Sequence, residues 1–298
     1  MSIVLVDFSQ MCIAAVAAQA EDIKGESATD MIKHVVLNML LSLKTRFKSK
    51  MILCCDSRNY WRKDILSSYK GHRKHLKDKS FLDFDLVHTV VNELKIELAE
   101  NFPYPVLEIP RAEADDIIAI LCEYFQENEL ETTGLFEDSQ DVIICSTDGD
   151  FAQLQKFNNT RQWNNIKKEF IKCSNVKEFL IEHIISGDNS DNVPSIMSTN
   201  EWSDNRANNI KGPRAKPFMK IRLPLFYEKG IDACDNDLER KHYLRNESLI
   251  DLSKIPDLIK DNIINTYKST VIKGNHAKIM SYMTQHRMKL LIGHVYNF

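Results

Sequence analysis

No two cysteines in this 298-residue chain are spaced Cys-x-x-Cys. The seven present, Cys12, Cys54, Cys55, Cys122, Cys145, Cys173 and Cys234, are odd in number, and most fall inside apolar runs. That argues against a disulfide framework and against a zinc or iron–sulfur site, and it fits a reducing compartment. No Gly-x-x-x-x-Gly-Lys-Ser/Thr loop is present, so a nucleotide-hydrolysing motor is not supported. No basic segment precedes a long apolar one at the start, so no signal peptide is expected. The apolar stretch Met11–Ala20 is too short to span a bilayer, and no other run approaches that length. No membrane residence is expected; a cytoplasmic location is. Repeats and low-complexity tracts are missing too. Nor is there an excess of one charge: the net value of -3 announces no polyanion partner, so the distribution has to be read instead. At 43% hydrophobic and 27% charged, the composition is that of an ordinary globule with ample length for a core, as one large domain or two.

Strand-like apolar runs alternate with amphipathic helical periods along the first half. Strands are expected at 3–6, 51–55, 106–109 and 142–145, and helices near 9–18, 30–48, 85–100 and 112–127. This alternation predicts an α/β fold with a mostly parallel central sheet and helices on both faces. Around Asn164-Asn165 the segment 161–173 has the character of a hairpin. From Val176 onward only helical periods and loops are visible, at 176–186, 217–228, 235–248, 256–268 and 276–287. A soft boundary is placed near 175, with an all-α region beyond it. Residues 189–216, rich in Asn, Ser, Gly and Pro, read as a long loop.

The strand-like runs end in acid. Ile3–Val6 runs into Asp7, Ile52–Cys55 into Asp56, and Val142–Cys145 into Ser146-Thr147-Asp148-Gly149-Asp150. In an open α/β sheet the carboxyl ends of the strands form the ligand crevice. Acids gathered there repel one another, and oxygen-liganded Mg²⁺ or Mn²⁺ would relieve them. Glu113, Asp115 and Asp116 open the helix after the third run. If all three are helical, Glu113 and Asp116 share a face and Asp115 is the weaker ligand candidate. Asp188 and Asp191, three apart, complete a set of nine. Each has a bland alternative: Asp7 as a helix cap, Asp56 as a loop carboxylate, the 113–116 acids as partners of the helix dipole, and the last two as a capped turn. His34, His88, His183 and His242 show no partner pattern and read as structural or surface residues.

A basic segment sits beside these acids. Between Arg58 and Lys79 lie Arg62, Lys63, Lys70, Arg73, Lys74 and Lys77, with Tyr60, Trp61 and Tyr69 interleaved. A charge run usually means a solvated helix face. Here the aromatics offer stacking surfaces for bases and the cations offer phosphate contacts, directly after Asp56.

Taken in order, several pieces resemble the 5′-nuclease superfamily of flap endonucleases and polymerase-associated 5′-3′ exonucleases, most closely its T-even phage branch. They are Val6-Asp7-Phe8-Ser9, Cys55-Asp56, Tyr60-Trp61-Arg62-Lys63-Asp64, Tyr69-Lys70-Gly71-His72-Arg73-Lys74, Glu113-Ala114-Asp115-Asp116, Ser146-Thr147-Asp148-Gly149-Asp150-Phe151, and Gly187-Asp188 with Asp191-Asn192-Val193. Arg161-Gln162-Trp163 and Ile279 to Tyr282 carry the likeness over essentially the whole chain. It implies a PIN-like α/β nuclease core over 1–175, with a helical arch at 58–82, and a helical duplex-binding region over 176–298. It implies two divalent ions, Mg²⁺ or Mn²⁺. Asp56, Glu113, Asp116, Asp148 and Asp150 would serve one site, and Asp7, Asp188 and Asp191 the other, partly through water. Lys70 and Arg73 would contact the scissile phosphate. Arg58, Tyr60, Trp61, Arg62, Lys63, Tyr69 and Lys74 would touch nucleic acid, as would Lys211, Arg214 and Lys216, with Lys220 and Arg222 beside them.

One departure is visible. The glycine-rich turn that follows the Gly-Asp segment in many members, and holds a monovalent ion, is missing at the expected distance. The activity implied is removal of RNA primers, adjacent DNA or 5′ flaps during replication and repair by a free-standing monomer. It would act in the host cytoplasm if phage-encoded. Its substrates would be branched or nicked duplex DNA and RNA–DNA hybrids, and its partners a single-stranded-DNA-binding protein and a sliding clamp. Two alternatives stay open: a non-catalytic DNA-binding module of the same fold, and a small metal-dependent ribonuclease. The aromatic end, Val295-Tyr296-Asn297-Phe298, is either a docking peptide or core.

Overall fold

The apolar runs pair as strands. A computed structural model describes residues 2–20, 23, 25–77, 83–127 and 141–298. Its sheet has six strands: β1 (Ile3–Asp7), β2 (Lys50–Cys55), β3 (Val106–Glu108), β4 (Val142–Cys145), β5 (Thr160–Asn164) and β6 (Glu169–Ile171), in the order β3-β2-β1-β4-β5-β6. β1 to β5 run parallel, and β6 returns antiparallel to β5 as the hairpin expected from sequence. The strand order reverses beside β1, so the β1–β4 gap is the switch point where a crevice forms.

The helices are α1 (Phe8–Ala17), α2 (Ala28–Phe47), α3 (Arg73–Lys77), α4 (Phe84–Asn101), α5 (Ala114–Glu127), α6 (Val176–Ser186), α7 (Asn200–Ala207), α8 (Leu223–Lys229), α9 (Asp237–Ile250), α10 (Asp257–Ser269), α11 (His276–Gln285) and α12 (Lys289–Ile292). β1 is buried on both faces, and the two-residue period of the strand sorts its side chains. Val4 and Val6 pack into one core with residues of α1, α2, α4 and α11, while Ile3 and Leu5 pack into another with α5 and α10. Helices from the C-terminal third therefore cover both faces of the sheet. A third core joins α6, α8 and α9 to Leu66 and Tyr69. All seven cysteines are free thiols, five of them buried. Among the described residues no helix is long and apolar enough to cross a membrane.

Three expectations are corrected and one open alternative is resolved. The segment 58–82 is not a continuous helical arch: Trp61–Asp64 form a 3₁₀ turn, only Arg73–Lys77 are α-helical, and 78–82 lie outside the described residues. Lys70, at φ 55°, breaks any helix there, and its N–H donates to the Asp191 carbonyl at 2.9 Å. Residues 189–216 are not all loop, because α7 lies within them. The helix expected from 112 starts at Ala114, after Arg111 in the left-handed region at φ 70°. Finally, Phe298 is 3% exposed and its ring meets Phe102 at 5.3 Å, so it is core; Tyr296, 78% exposed, is not.

Gly187 ends α6 at φ 73°, ψ 178°, a conformation close to exclusive to glycine. A Cβ there would come within 2.5 Å of the Pro194 and Val193 carbonyls. Gly187→Ala is therefore expected to cost about 2–4 kcal/mol in urea unfolding, from strain plus the clash. A cost below about 0.5 kcal/mol would show that the loop simply moves aside.

Candidate metal centre

Each strand-end acid is held by capping as well as by its strand. Asp7 caps α1, accepting from the Gln10 N–H at 3.2 Å, and its other oxygen accepts from Ser146 Oγ at 2.9 Å. Asp56 reaches across to α5 and accepts from the Ala114 N–H at 2.9 Å. Asp148 accepts from the Asp150 N–H at 3.0 Å in the tight turn after β4, while its own N–H donates to Ser146 Oγ at 3.1 Å. Gln162 on β5 donates to the Ser146 and Asp148 carbonyls and fixes that turn. Asp188 accepts from the N–H and hydroxyl of Ser190.

The nine acids divide by whether the protein supplies a counter-charge. Glu113 pairs with Arg62 at 2.8 Å and with Lys70, and accepts from the Tyr69 hydroxyl at 3.1 Å. Burial would raise its pKa, but Lys70 and Arg62 hold it below the ordinary value. Asp191 accepts from Tyr69 at 2.5 Å and from Arg73 at 2.6 Å, with Lys70 Nζ 3.5 Å away. Despite its burial, Lys70 and Arg73 hold it low too. Asp116 is already engaged: Oδ2 accepts from the Trp61 indole N–H at 3.0 Å and the Glu113 N–H at 2.9 Å, and Oδ1 lies 2.8 Å from the Arg62 guanidinium without an aligned hydrogen bond.

Four of the others have too little of that relief, although Lys70 acts on Asp115 and Asp148 and His183 on Asp188. Burial, then the neighbouring charge of Asp56, pushes Asp7 up to about 7. Burial and Asp150 push Asp148 up to about 6. Burial and Asp148, with Asp7 further off, raise Asp115 well above the ordinary range. Burial and Asp191 raise Asp188. A buried carboxylate set with too few cations is the donor chemistry that Mg²⁺ or Mn²⁺ fits, so the residues present suit the ions that the resemblance implies.

Two rankings change. Asp115, expected to be the weaker ligand candidate, faces Asp148 and Asp7, while Asp116 is consumed by Arg62 and Trp61. Glu113 and Asp116 do share a side, as expected, but that side is occupied by Arg62. Trp61, Arg62 and Tyr69 are buried, so they offer nucleic acid neither a stacking face nor a free cation. Arg58, Lys63 and Lys74 are exposed, and Tyr60 is half-buried between Lys63 and Lys70. Lys211 and Arg214 line an open cleft with Trp202 and Arg206, and Lys216 is exposed nearby. Lys220 is exposed as well, whereas Arg222 is bound to Glu239 at 2.6 Å and to Asp235 at 3.2 Å.

One residue was missed. His183 Nε2 lies 2.9 Å from Asp150 and 4.0 Å from Asp188. Burial would lower its pKa, yet these carboxylates raise it to about 8. The available signal was its place one turn before Gly187, where the helix end folds back on the acidic loop.

Residues 2–180 match the family model described as 5′-3′ exonuclease, N-terminal resolvase-like domain, and residues 176–298 match the one described as T4 RNase H, C terminal. The ribonuclease H of Enterobacteria phage T4 is 30% identical over 99% of this chain and 95% of its own length. The flap endonuclease Xni of Shewanella denitrificans is 29% identical over 52% of this chain and 57% of its own. Among solved structures, the 5′-exonuclease of phage T5 with bound zinc superposes with a TM-score of 0.62 at 15% identity, over 90% of this chain and 97% of that one. The phage T5 flap endonuclease in a pseudo-enzyme–product complex with DNA and metal ions gives 0.62 at 16% identity, over 91% and 98%. At those identities the T5 likeness is one of fold.

Proposed function

The chain belongs to the 5′-3′ exonuclease family, and from that premise we propose that it is a Mg²⁺- or Mn²⁺-dependent 5′-nuclease. It cleaves RNA primers, adjacent DNA and 5′ flaps from branched or nicked duplexes and RNA–DNA hybrids. The observation that carries this reading is a group of acids with too little counter-charge at the switch point of the sheet: Asp7, which is buried, and Asp115 and Asp148, which are half-buried. A pure DNA-binding module has no use for such acids beside phosphate.

Asp7, Asp56, Asp115 and Asp148 would hold one ion, and Asp150 and Asp188 would hold the second. When bound, such a pair activates water and offsets the charge that develops at phosphorus. Glu113 and Asp191 keep Lys70 and Arg73 at the rim of the cluster. Those carboxylates raise the pKa of Lys70, so its ammonium stays charged and can meet a phosphate oxygen. Arg58, Lys63 and Lys74 neutralise strand phosphates, Tyr60 supplies a stacking edge, and Lys211, Arg214 and Lys216 touch the duplex further out. Residues 1–175 act as nuclease core and 176–298 as duplex grip. The setting is replication and repair, for a monomer working with a single-stranded-DNA-binding protein and a sliding clamp.

The test is cleavage of a 5′-labelled flap and a 5′-labelled RNA–DNA duplex, with Mg²⁺ and with chelator. Wild type should release short metal-dependent products, and Asp150→Asn should release none while still binding DNA. Lys70→Ala should slow single-turnover cleavage roughly 10²-fold or more, with a smaller loss of binding. Full cleavage by Asp150→Asn would refute the assignment, and a pure binding defect in Lys70→Ala would make that lysine a tether.

A further inference from the structure

His183 differs in kind from the rest of the cluster. The Gly187 N–H donates to its carbonyl at 2.9 Å, which sets its ring on the final turn of α6, above the loop that carries Asp188. Phe179, one turn earlier, stacks on the imidazole at 5.8 Å between centroids and 18° between planes, and so limits its rotation. The Nε2 atom is buried and makes no aligned hydrogen bond, although Asp150 Oδ1 is only 2.9 Å away. One donor atom from each of Asp150, His183 and Asp188 lies within 4.8 Å of the other two. Neighbouring ligands on one small ion, bonded at ~2.1 Å, sit about 3 Å apart, and the Nε2-to-Asp150 separation has that value.

We propose that His183 is itself a metal ligand, forming with Asp150 and Asp188 a mixed nitrogen-and-oxygen site that favours Mn²⁺ and related transition cations over Mg²⁺. The idea rests on the two-ion reading above and deepens it. Imidazole suits transition cations, of which Mn²⁺ is the weakest binder and also accepts oxygen ligands, whereas Mg²⁺ takes carboxylates, carbonyls and water. A neutral imidazole in place of a third carboxylate also leaves the site two negative charges, which one divalent cation balances. The rival arrangement has His183 only hydrogen-bonded to Asp150 and orienting that carboxylate.

The full-length protein loaded with Mn²⁺ alone separates the two. Pulsed electron paramagnetic resonance reads nitrogen directly bonded to the ion. Wild type should show that nitrogen modulation, and His183→Gln should lose it. Calorimetry should find Mn²⁺ affinity lower by about 10- to 100-fold in the variant, with a Mg²⁺ change under about threefold. Mn²⁺ bound to wild type without nitrogen modulation overturns the role of His183 and leaves the nuclease reading standing. Failure of wild type to bind Mn²⁺ at all overturns both.

Discussion

Asp7→Asn is expected to yield a protein that is more stable than wild type without metal and inactive with it. The carboxyl of Asp7 ionises at about 7 in the fold against 3.8 for an ordinary aspartate, because of burial and then Asp56. A raised carboxyl pKa means that the folded state holds the proton more tightly than the unfolded chain. Stability from that group is full below about pH 4 and is lost progressively as pH climbs through 7. That displacement corresponds to about 4 kcal/mol as an upper bound, and the asparagine recovers about half of it, since neighbouring carboxylates share the repulsion. In a chain of this size that is a rise of about 3 °C in melting temperature at pH 8 without metal. The gain should shrink below pH 7 and vanish near pH 4. Added Mn²⁺ should reverse the ranking, since it stabilises only the form with the full carboxylate set. Equal melting temperatures at pH 8 in chelator would show that Asp7 is not under electrostatic strain.

Arg62→Met should be among the most damaging single changes in the molecule. The guanidinium is 2% exposed and makes three connections: to the Leu249 carbonyl on α9 at 2.8 Å, to Glu113 at 2.8 Å and to Asp116 at 2.8 Å. Its loss leaves Asp116, at 0% exposure, without its cation, and Glu113 with Lys70 alone. Stranding a buried carboxylate costs about 3–5 kcal/mol, a large share of the stability of most domains. Lysine is not expected to rescue, because a single ammonium cannot serve three acceptors in a fixed fork. Pairing Arg62→Met with Asp116→Asn should return part of the loss, because the stranded charge is then gone. Urea unfolding measures all four proteins, and a cost below about 1 kcal/mol for Arg62→Met would show that water reaches the two acids.

The strand-end acids were legible because their signal is local: four apolar residues, then a carboxylate, at a place that parallel-sheet geometry makes a crevice. What was lost depended on contacts distant in sequence. Trp61, Arg62 and Tyr69 look like a base-stacking series until α9 and the loop at Asp191 close over them, and the Arg62–Leu249 bond spans 187 positions. Asp115 and Asp116 were read as neighbours on a helix, and what could not be read was that Arg62 and Trp61 take up Asp116. The later start of that helix follows the left-handed backbone of Arg111, which no propensity rule anticipates for arginine. His183 showed no spacing to the carboxylates it meets, because they come from the turn after β4 and from the loop after α6 rather than from its own helix.

The layering of this sheet also sets a clock. Both of its faces are completed by chain made late: α10 over one, α11 and Phe298 over the other, with Tyr104 reaching 194 positions to the Phe298 carbonyl and Lys50 reaching 217 to Tyr267. At about 5–20 residues per second, a ribosome takes roughly 6–25 s to pass from residue 175 to that end. For that interval the strands are covered only by α1, α2 and α4 on one face and α5 on the other. Such an order of assembly makes closure a late, long-range event and leaves the nascent sheet exposed to aggregation while it waits.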